Sequence, residues 1–215
     1  MSTMIAIPER GIYLASRSPR RRELLAQIGV RYHLLLFRER VGEKPDVDES
    51  VLPGEAPAAY VERMARAKAD TGWRRMLQRN LPHAPVLAAD TTVALDGRIV
   101  GKPADRKEAA TMLAALSGRS HEVLTAIAIQ YVDRLESALS RSEVRFKELA
   151  PREIEDYVAT GEADDKAGAY AIQGRAARFI SELRGSYSGV MGLPLYETAR
   201  MLDAFAASPR DRRLA

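Results

Sequence analysis

Apolar positions along the chain recur at strand spacing, then at helix spacing, and the elements can be read in order. The run Ile12-Tyr13-Leu14-Ala15 predicts a short strand, and Arg20 to Ile28 carries Leu24, Leu25 and Ile28 on one helical side before the stop signal Gly29. Val30 to Phe37 predicts a second strand. Tyr60, Met64, Ala67 and Lys68 fall at i, i+4, i+7 and i+8, which predicts a helix over Ala58 to Arg79. Ala84 to Ala89 is unbroken apolar sequence, as expected of a strand covered on both faces. Asp96-Gly97 is the strongest hairpin signal and predicts the pairs Leu95 with Arg98, Val93 with Val100 and Thr91 with Lys102. Helices are predicted over Asp105 to Leu116 and Pro151 to Ala159. A final helix follows Pro194, with Leu195, Ala199, Leu202 and Phe205 on one face. Strands are predicted over His121 to Val132, Ser137 to Phe146 and Phe179 to Leu183, and a turn over Gly185 to Gly189.

Several polar residues break these patterns, and they carry the candidate chemistry. Ser18 is a good N-cap and Pro19 suits the first helical position, but Arg20, Arg21 and Arg22 then crowd the first turn. That end of a helix is positive, so each cation there is unfavourable by roughly 0.3–1 kcal/mol. Strand, serine turn, helix start and guanidiniums together suit a phosphate, although a solvated basic turn has the same composition. Helical spacing aims Arg20 and Arg21 toward the apolar side and Arg22 toward solvent.

Lys68 falls on the inward stripe of its helix, where it either serves an anion or snorkels to the edge. Asp90 follows the buried run at the expected carboxyl end of a strand, where α/β sheets place ligands; a turn-capping aspartate is the plainer reading. The hairpin brings Lys102 back beside Asp90 and Thr91. Asp46, Asp48 and Glu49 lie in a long loop, Arg38 to Pro57, as oxygen ligands for a hard cation or as a solvated acidic turn. The small-residue stretch Asp164 to Gly174 permits close backbone approach, adds Lys166, and offers Gln173 as an amide able to read a base edge. His121 lacks an acid partner, which favours a structural role over that of a base.

Composition narrows the classes. The 215 residues can bury one sizeable core, read as residues 11–207 between a loose leader (1–10) and a basic tail (208–215). Zero cysteines exclude disulfides and thiolate catalysis. A net charge of +4 suits anionic small molecules and is too even to demand nucleic acid, and no aromatics interleave as a stacking platform would need. No apolar run approaches the roughly 18 residues of a membrane span, so a cytoplasmic protein is expected.

Taken together, these stretches closely resemble the Maf family of nucleoside triphosphate pyrophosphatases. The likeness runs through Leu14-Ala15-Ser16-Arg17-Ser18-Pro19-Arg20-Arg21, Ala89-Asp90-Thr91, Gly101-Lys102-Pro103 and Ser117-Gly118-Arg119. It continues through Asp165-Lys166-Ala167-Gly168-Ala169-Tyr170 and Gly192-Leu193-Pro194. The resemblance implies an α/β fold with an elongated central mixed β-sheet, flanking helices and a cleft between two lobes, assembled as a homodimer. It implies hydrolysis of a nucleoside triphosphate to the monophosphate and pyrophosphate with a divalent cation, Mg²⁺ or Mn²⁺. Carried over by motif, Asp90 would be the proton acceptor, and Glu49 with Asp90 would hold the metal. Ser16, Arg20, Arg21, Lys68, Lys102 and Lys166 would line the phosphate path. Arg20, Thr91 and Gln173 match the dTTP/UTP subgroup, whereas the 7-methyl-GTP subgroup has an aromatic residue, Gln and Glu there. A regulatory nucleotide-binding role linked to septum formation is the alternative from another class. The chain is several residues longer than its relatives through Arg38 to Pro45.

Overall fold

Strand β1 (Ile12–Leu14) forms where the first apolar run predicts it and is buried throughout. Helix α1 (Pro19–Gln27) follows with Pro19 in its first turn and Leu24 and Leu25 inward. Strand β2 (Tyr32–Leu34) is shorter than predicted. Among the described residues it pairs only with β1, and Leu34 is exposed, because an edge strand has no second neighbour to extend its ladder. Helix α2 (Pro57–Gln78) and strand β3 (Val86–Leu95) come next. The computed structural model describes residues 11–37 and 46–207; the expected leader, the expected tail and residues 38–45 lie outside them.

The remaining elements are β4 (Arg98–Val100), α3 (Arg106–Leu116), β5 (Ser120–Tyr131), β6 (Arg134–Phe146), α4 (Pro151–Ala159), β7 (Ile180–Arg184), α5 (Tyr187–Met191) and α6 (Leu195–Ala207). Seven strands form one mixed sheet in the order β2-β1-β3-β5-β6-β7, with β4 beside β3. The β1 pairings are parallel, and those from β3 through β5 and β6 to β7 are antiparallel. The predicted turn at 185–189 is instead the start of α5, because the Ser186 side chain accepts the Gly189 N–H and caps a helix.

Two features of β3 position everything that follows. The two predicted runs around Asp90 are one continuous strand, so Asp90 sits in mid-strand rather than at a carboxyl end. Antiparallel pairing with β5 carries the ladder straight through it. On its other side β3 pairs with β1 only as far as Leu87 and with β4 only from Val93. Residues 88–92 therefore face a notch with no strand partner among the described residues. The hairpin register matches at Leu95 with Arg98 and Val93 with Val100. The Thr91 with Lys102 pair does not form, because β4 ends at Val100. Strand order 2-1-3 makes the notch a switch point: from β1 the sheet runs to β2 on one side and to β3 on the other, which leaves a crevice beyond β1.

Alternation along β3 divides its side chains between two faces. Val86 faces α2 at Gly72, where an added Cβ would lie 2.8 Å from Val86 Cγ1, so the helix can sit this close only as glycine. Two apolar clusters pack on the sheet. The larger gathers β1, α1, α2, α6 and most of β5. The smaller gathers Val93, Val123, α3, α4 and the aromatic group Phe146, Tyr157, Tyr170 and Phe179.

Candidate active site

Asp90 projects from β3 toward α2, where the Lys68 ammonium meets its Oδ1 at 2.6 Å. The same ammonium lies 2.7 Å from Glu49 Oε1. One lysine thus bridges two carboxylates that come from a loop and a strand far apart in sequence. Glu49 is held there by its own carbonyl, which accepts the Tyr60 hydroxyl at 3.1 Å. Burial acts to raise the Glu49 carboxyl. The Lys68 charge and hydrogen bond, then Lys102 and Arg21, outweigh it and hold its pKa below the ordinary value. Burial and then the charges of Asp90 and Glu49 push the Tyr60 hydroxyl up to about 12, so it stays a donor. The other two acids of the loop serve elsewhere: Asp46 pairs with Arg75, and Asp48 accepts the Ser50 N–H at 2.9 Å.

Thr91 points to the opposite face and meets Arg21. The Arg21 guanidinium donates through Nε to the Gly192 carbonyl at 2.7 Å, through one terminal nitrogen to Ser16 Oγ at 3.3 Å, and through the other to Thr91 Oγ1 at 3.3 Å. All three acceptors are neutral. Burial lowers the pKa of this guanidinium, with Asp90 the main opposing charge. Arg20 turns the other way. Burial lowers its pKa, opposed first by the charge of Glu23 and then by Tyr157 of α4. Lys166 is likewise lowered, first by burial and then by Arg20, and Lys102 adds to the repulsion. The stretch carrying Lys166 is wedged against the sheet: Gly168 (φ +70°) donates its N–H to the Gly101 carbonyl at 3.0 Å, and an added Cβ would lie 2.9 Å from Val93 Cγ2.

Ser16, Arg20, Arg21, Lys68, Asp90, Thr91, Lys102, Lys166 and Glu49 are thus brought around one notch. Arg20, Arg21, Lys102 and Lys166 have no carboxylate within ion-pair distance among the described residues. Four such cations over one crevice are costly unless an anion shares it. Gln173 is exposed and has no contact with this group among the described residues. Its stretch is tied nearby, through the Ala171 N–H donated to the Tyr157 hydroxyl at 3.3 Å. Arg22, read from its spacing as facing solvent, is half-buried and has no hydrogen bond or ion pair to this group among the described residues. Sequence reading missed Tyr60, Tyr157 and the Gly192 carbonyl. The first two lay on apolar helical stripes, where an aromatic signals packing rather than chemistry, and a backbone carbonyl leaves no mark in a sequence.

Among the described residues no group of three or more His, Cys, Asp or Glu side chains gathers to hold a metal ion. The donor set nevertheless fits a Mg²⁺-type cation, which usually takes one or two carboxylates and completes its shell with water and substrate phosphates. Glu49 and Asp90 supply those carboxylates, and the lysine between them shows that the space favours positive charge.

His121 is only 3% exposed and lies far from a base's role: its Nε2 is 2.8 Å from the Tyr170 hydroxyl, and Phe146 packs edge-on. Burial pulls its pKa down to about 4. Unfolded, the ring would titrate near 6.5, so as pH falls from 6.5 to 4 the unfolded state takes up a proton that the folded state refuses. Stability should therefore fall through that window by up to about 3 kcal/mol, and His121→Phe should flatten the slope. Chemical denaturation at intervals between pH 7 and 4.5 checks this, with His121→Phe separating the histidine from the carboxylates that begin to titrate at the low end.

Fold and site together define an α/β protein with an anion-receptive cleft at the switch point of its sheet. The chain belongs to the Maf family, whose Maf-like protein model matches residues 11–205. It is 61% identical over 196 residues to the dTTP/UTP pyrophosphatase of Aromatoleum aromaticum, covering 90% of this chain and 95% of that protein. It is 57% identical over 192 residues to the dTTP/UTP pyrophosphatase of Nitrosomonas europaea, covering 89% and 93%. The solved structure of the Staphylococcus aureus Ham1 protein is more distant, at 17% identity and a TM-score of 0.42, covering 90% of this chain and 96% of that one.

Proposed function

We propose that this chain is a nucleotide pyrophosphatase that hydrolyses dTTP and UTP to the monophosphate and pyrophosphate. The observation that carries the reading is the pairing of Asp90, bridged through Lys68 to Glu49, with four cations around the same notch that make no ion pair among the described residues. A polyphosphate chain neutralises those cations, and an acid beside it takes up a proton from water. The names and high identity of the relatives point to the same reaction and to the same two nucleotides.

In this reading the triphosphate lies across the notch, between Ser16, Arg20 and Arg21 on one side and Lys102 and Lys166 on the other. Asp90 accepts a proton from a water that attacks the α-phosphorus in line. The bond to the bridging oxygen breaks, and the β- and γ-phosphates leave as pyrophosphate. The cations hold the charge that develops on the leaving oxygens. A Mg²⁺ or Mn²⁺ ion held by Glu49 and Asp90 would add Lewis-acid polarisation of the phosphoryl oxygens. Arg20 and Thr91 act at the phosphate end, and Gln173, on an exposed stretch near Arg20, meets the pyrimidine edge. The reading also carries a homodimer in the cytoplasm as its assembled form.

Pyrophosphate release from a nucleotide panel with Mg²⁺ or Mn²⁺ tests this. The expected result is turnover of dTTP and UTP well above that of 7-methyl-GTP. Preference for 7-methyl-GTP would sink the substrate assignment, and absence of pyrophosphate release from every triphosphate would sink the reaction.

A further inference from the structure

Thr125 lies in β5, only 1% exposed, as a lone hydroxyl in the apolar run Val123-Leu124-Thr125-Ala126-Ile127. It pairs directly with Thr91 across the ladder. Its Oγ1 is 3.0 Å from Thr91 Oγ1 and 2.7 Å from the Gly189 carbonyl. The proton directions follow from counting. The Gly189 carbonyl can only accept, so the single Thr125 proton goes there and the Thr125–Thr91 bond must carry the Thr91 proton, which leaves Thr91 Oγ1 to accept from Arg21. The result is a one-way chain, Arg21 to Thr91 to Thr125 to Gly189.

Satisfying Gly189 does not explain this chain, because that carbonyl already receives the Gly192 N–H at 2.9 Å. The same α5 turn supplies the Gly192 carbonyl that accepts Arg21 Nε. Two hydrogen-bonding routes from one short helix therefore converge on one guanidinium, one direct and one through two threonines. A planar fork fixed at Nε and at a terminal nitrogen cannot rotate about its long axis. Gly189 also keeps α5 close: a Cβ there would lie 3.1 Å from Ser140 Oγ and 3.1 Å from Ser186 Cβ.

We propose that Thr125 is a positioning residue for substrate phosphate, acting through Thr91 to fix the orientation of Arg21. The proposal rests on the pyrophosphatase reading. Without the Thr125 hydroxyl, Thr91 has no acceptor for its proton and turns away from the accepting geometry that Arg21 needs.

Calorimetric binding of pyrophosphate to the full chain tests it, with Thr125→Val and Thr125→Ser in the native and Arg21→Ala backgrounds. Thr125→Val should weaken pyrophosphate binding roughly tenfold, the effect of one lost charge-assisted hydrogen bond, while Thr125→Ser binds as the native protein does. In the Arg21→Ala background Thr125→Val should cause no further loss, which a merely structural role would not produce. Native-strength binding by Thr125→Val, or an equal loss with and without Arg21, would overturn the proposal. Failure of the native protein to bind pyrophosphate would overturn the proposal, while the pyrophosphatase reading stands or falls separately on pyrophosphate release from the triphosphates. Should Thr125→Val not fold, Thr125→Ala carries the same comparison.

Discussion

Replacing Asp90 by asparagine is expected to lower kcat by roughly 10²–10⁴-fold, the usual contribution of a positioned general base. The substitution keeps size and shape, and asparagine Oδ1 can still accept the hydrogen bond that Lys68 gives at 2.6 Å. Lys68 also retains Glu49 at 2.7 Å, so no buried ammonium is stranded and the fold should persist. What disappears is the capacity to take a proton from water. The loss should therefore fall on kcat, with KM for dTTP little changed. Steady-state kinetics alongside a thermal melt checks this. Turnover comparable with the native protein would remove Asp90 from the mechanism.

Removing Arg21 should have the next largest effect. Arg21→Ala is expected to reduce kcat/KM by roughly 10²–10³-fold, comparable with deleting one preorganised electrostatic group from an active site. Its three acceptors are a carbonyl and two hydroxyls, so its charge is held in place without being neutralised. A charge spent on structure is normally paired; in the proposed reading this one meets the substrate phosphates. Thermal stability should accordingly hold or rise in Arg21→Ala while activity collapses, since function-bearing strain is relieved by such changes. Arg21→Lys keeps the charge but loses the fork, and should fall between the two. A fall in melting temperature without a fall in kcat/KM would reverse the assignment.

Much of this site was legible in the sequence because its parts break local rules. Arginines in the positive first turn of a helix, a lysine on an apolar stripe and an aspartate after an unbroken apolar run are each unfavourable locally, and each reaches the notch. The Asp96-Gly97 hairpin signal fixed a register that the structure reproduces at Leu95 and Val93. Other features needed the third dimension. Asp90 looked like the end of a strand because polar Asp90-Thr91-Thr92 interrupts the apolar run, yet pairing with β5 carries β3 through it. The resemblance already singled out Glu49, but composition alone could not rank it above Asp46 and Asp48; the reason it differs is that its carboxylate reaches Lys68. Thr125 differs from its neighbours only by a hydroxyl, and only the register of β3 on β5 sets that hydroxyl against Thr91. The exposed position of Gln173 shows the same limit from the other side: a motif residue can lie beside a cleft without touching the groups that line it.

The notch also has a mechanical meaning. Apolar packing is concentrated in two clusters, whereas β3 and β5 run unbroken between them through the polar waist at Asp90, Thr91 and Thr92. Three paired strands, β3, β5 and β6, cross that waist, so bending there twists the sheet without breaking it. Like charges on either lip, Arg20 against Lys166 and Lys102, press the waist apart. A polyphosphate laid between them changes that repulsion into attraction and works as a tie-rod across the notch.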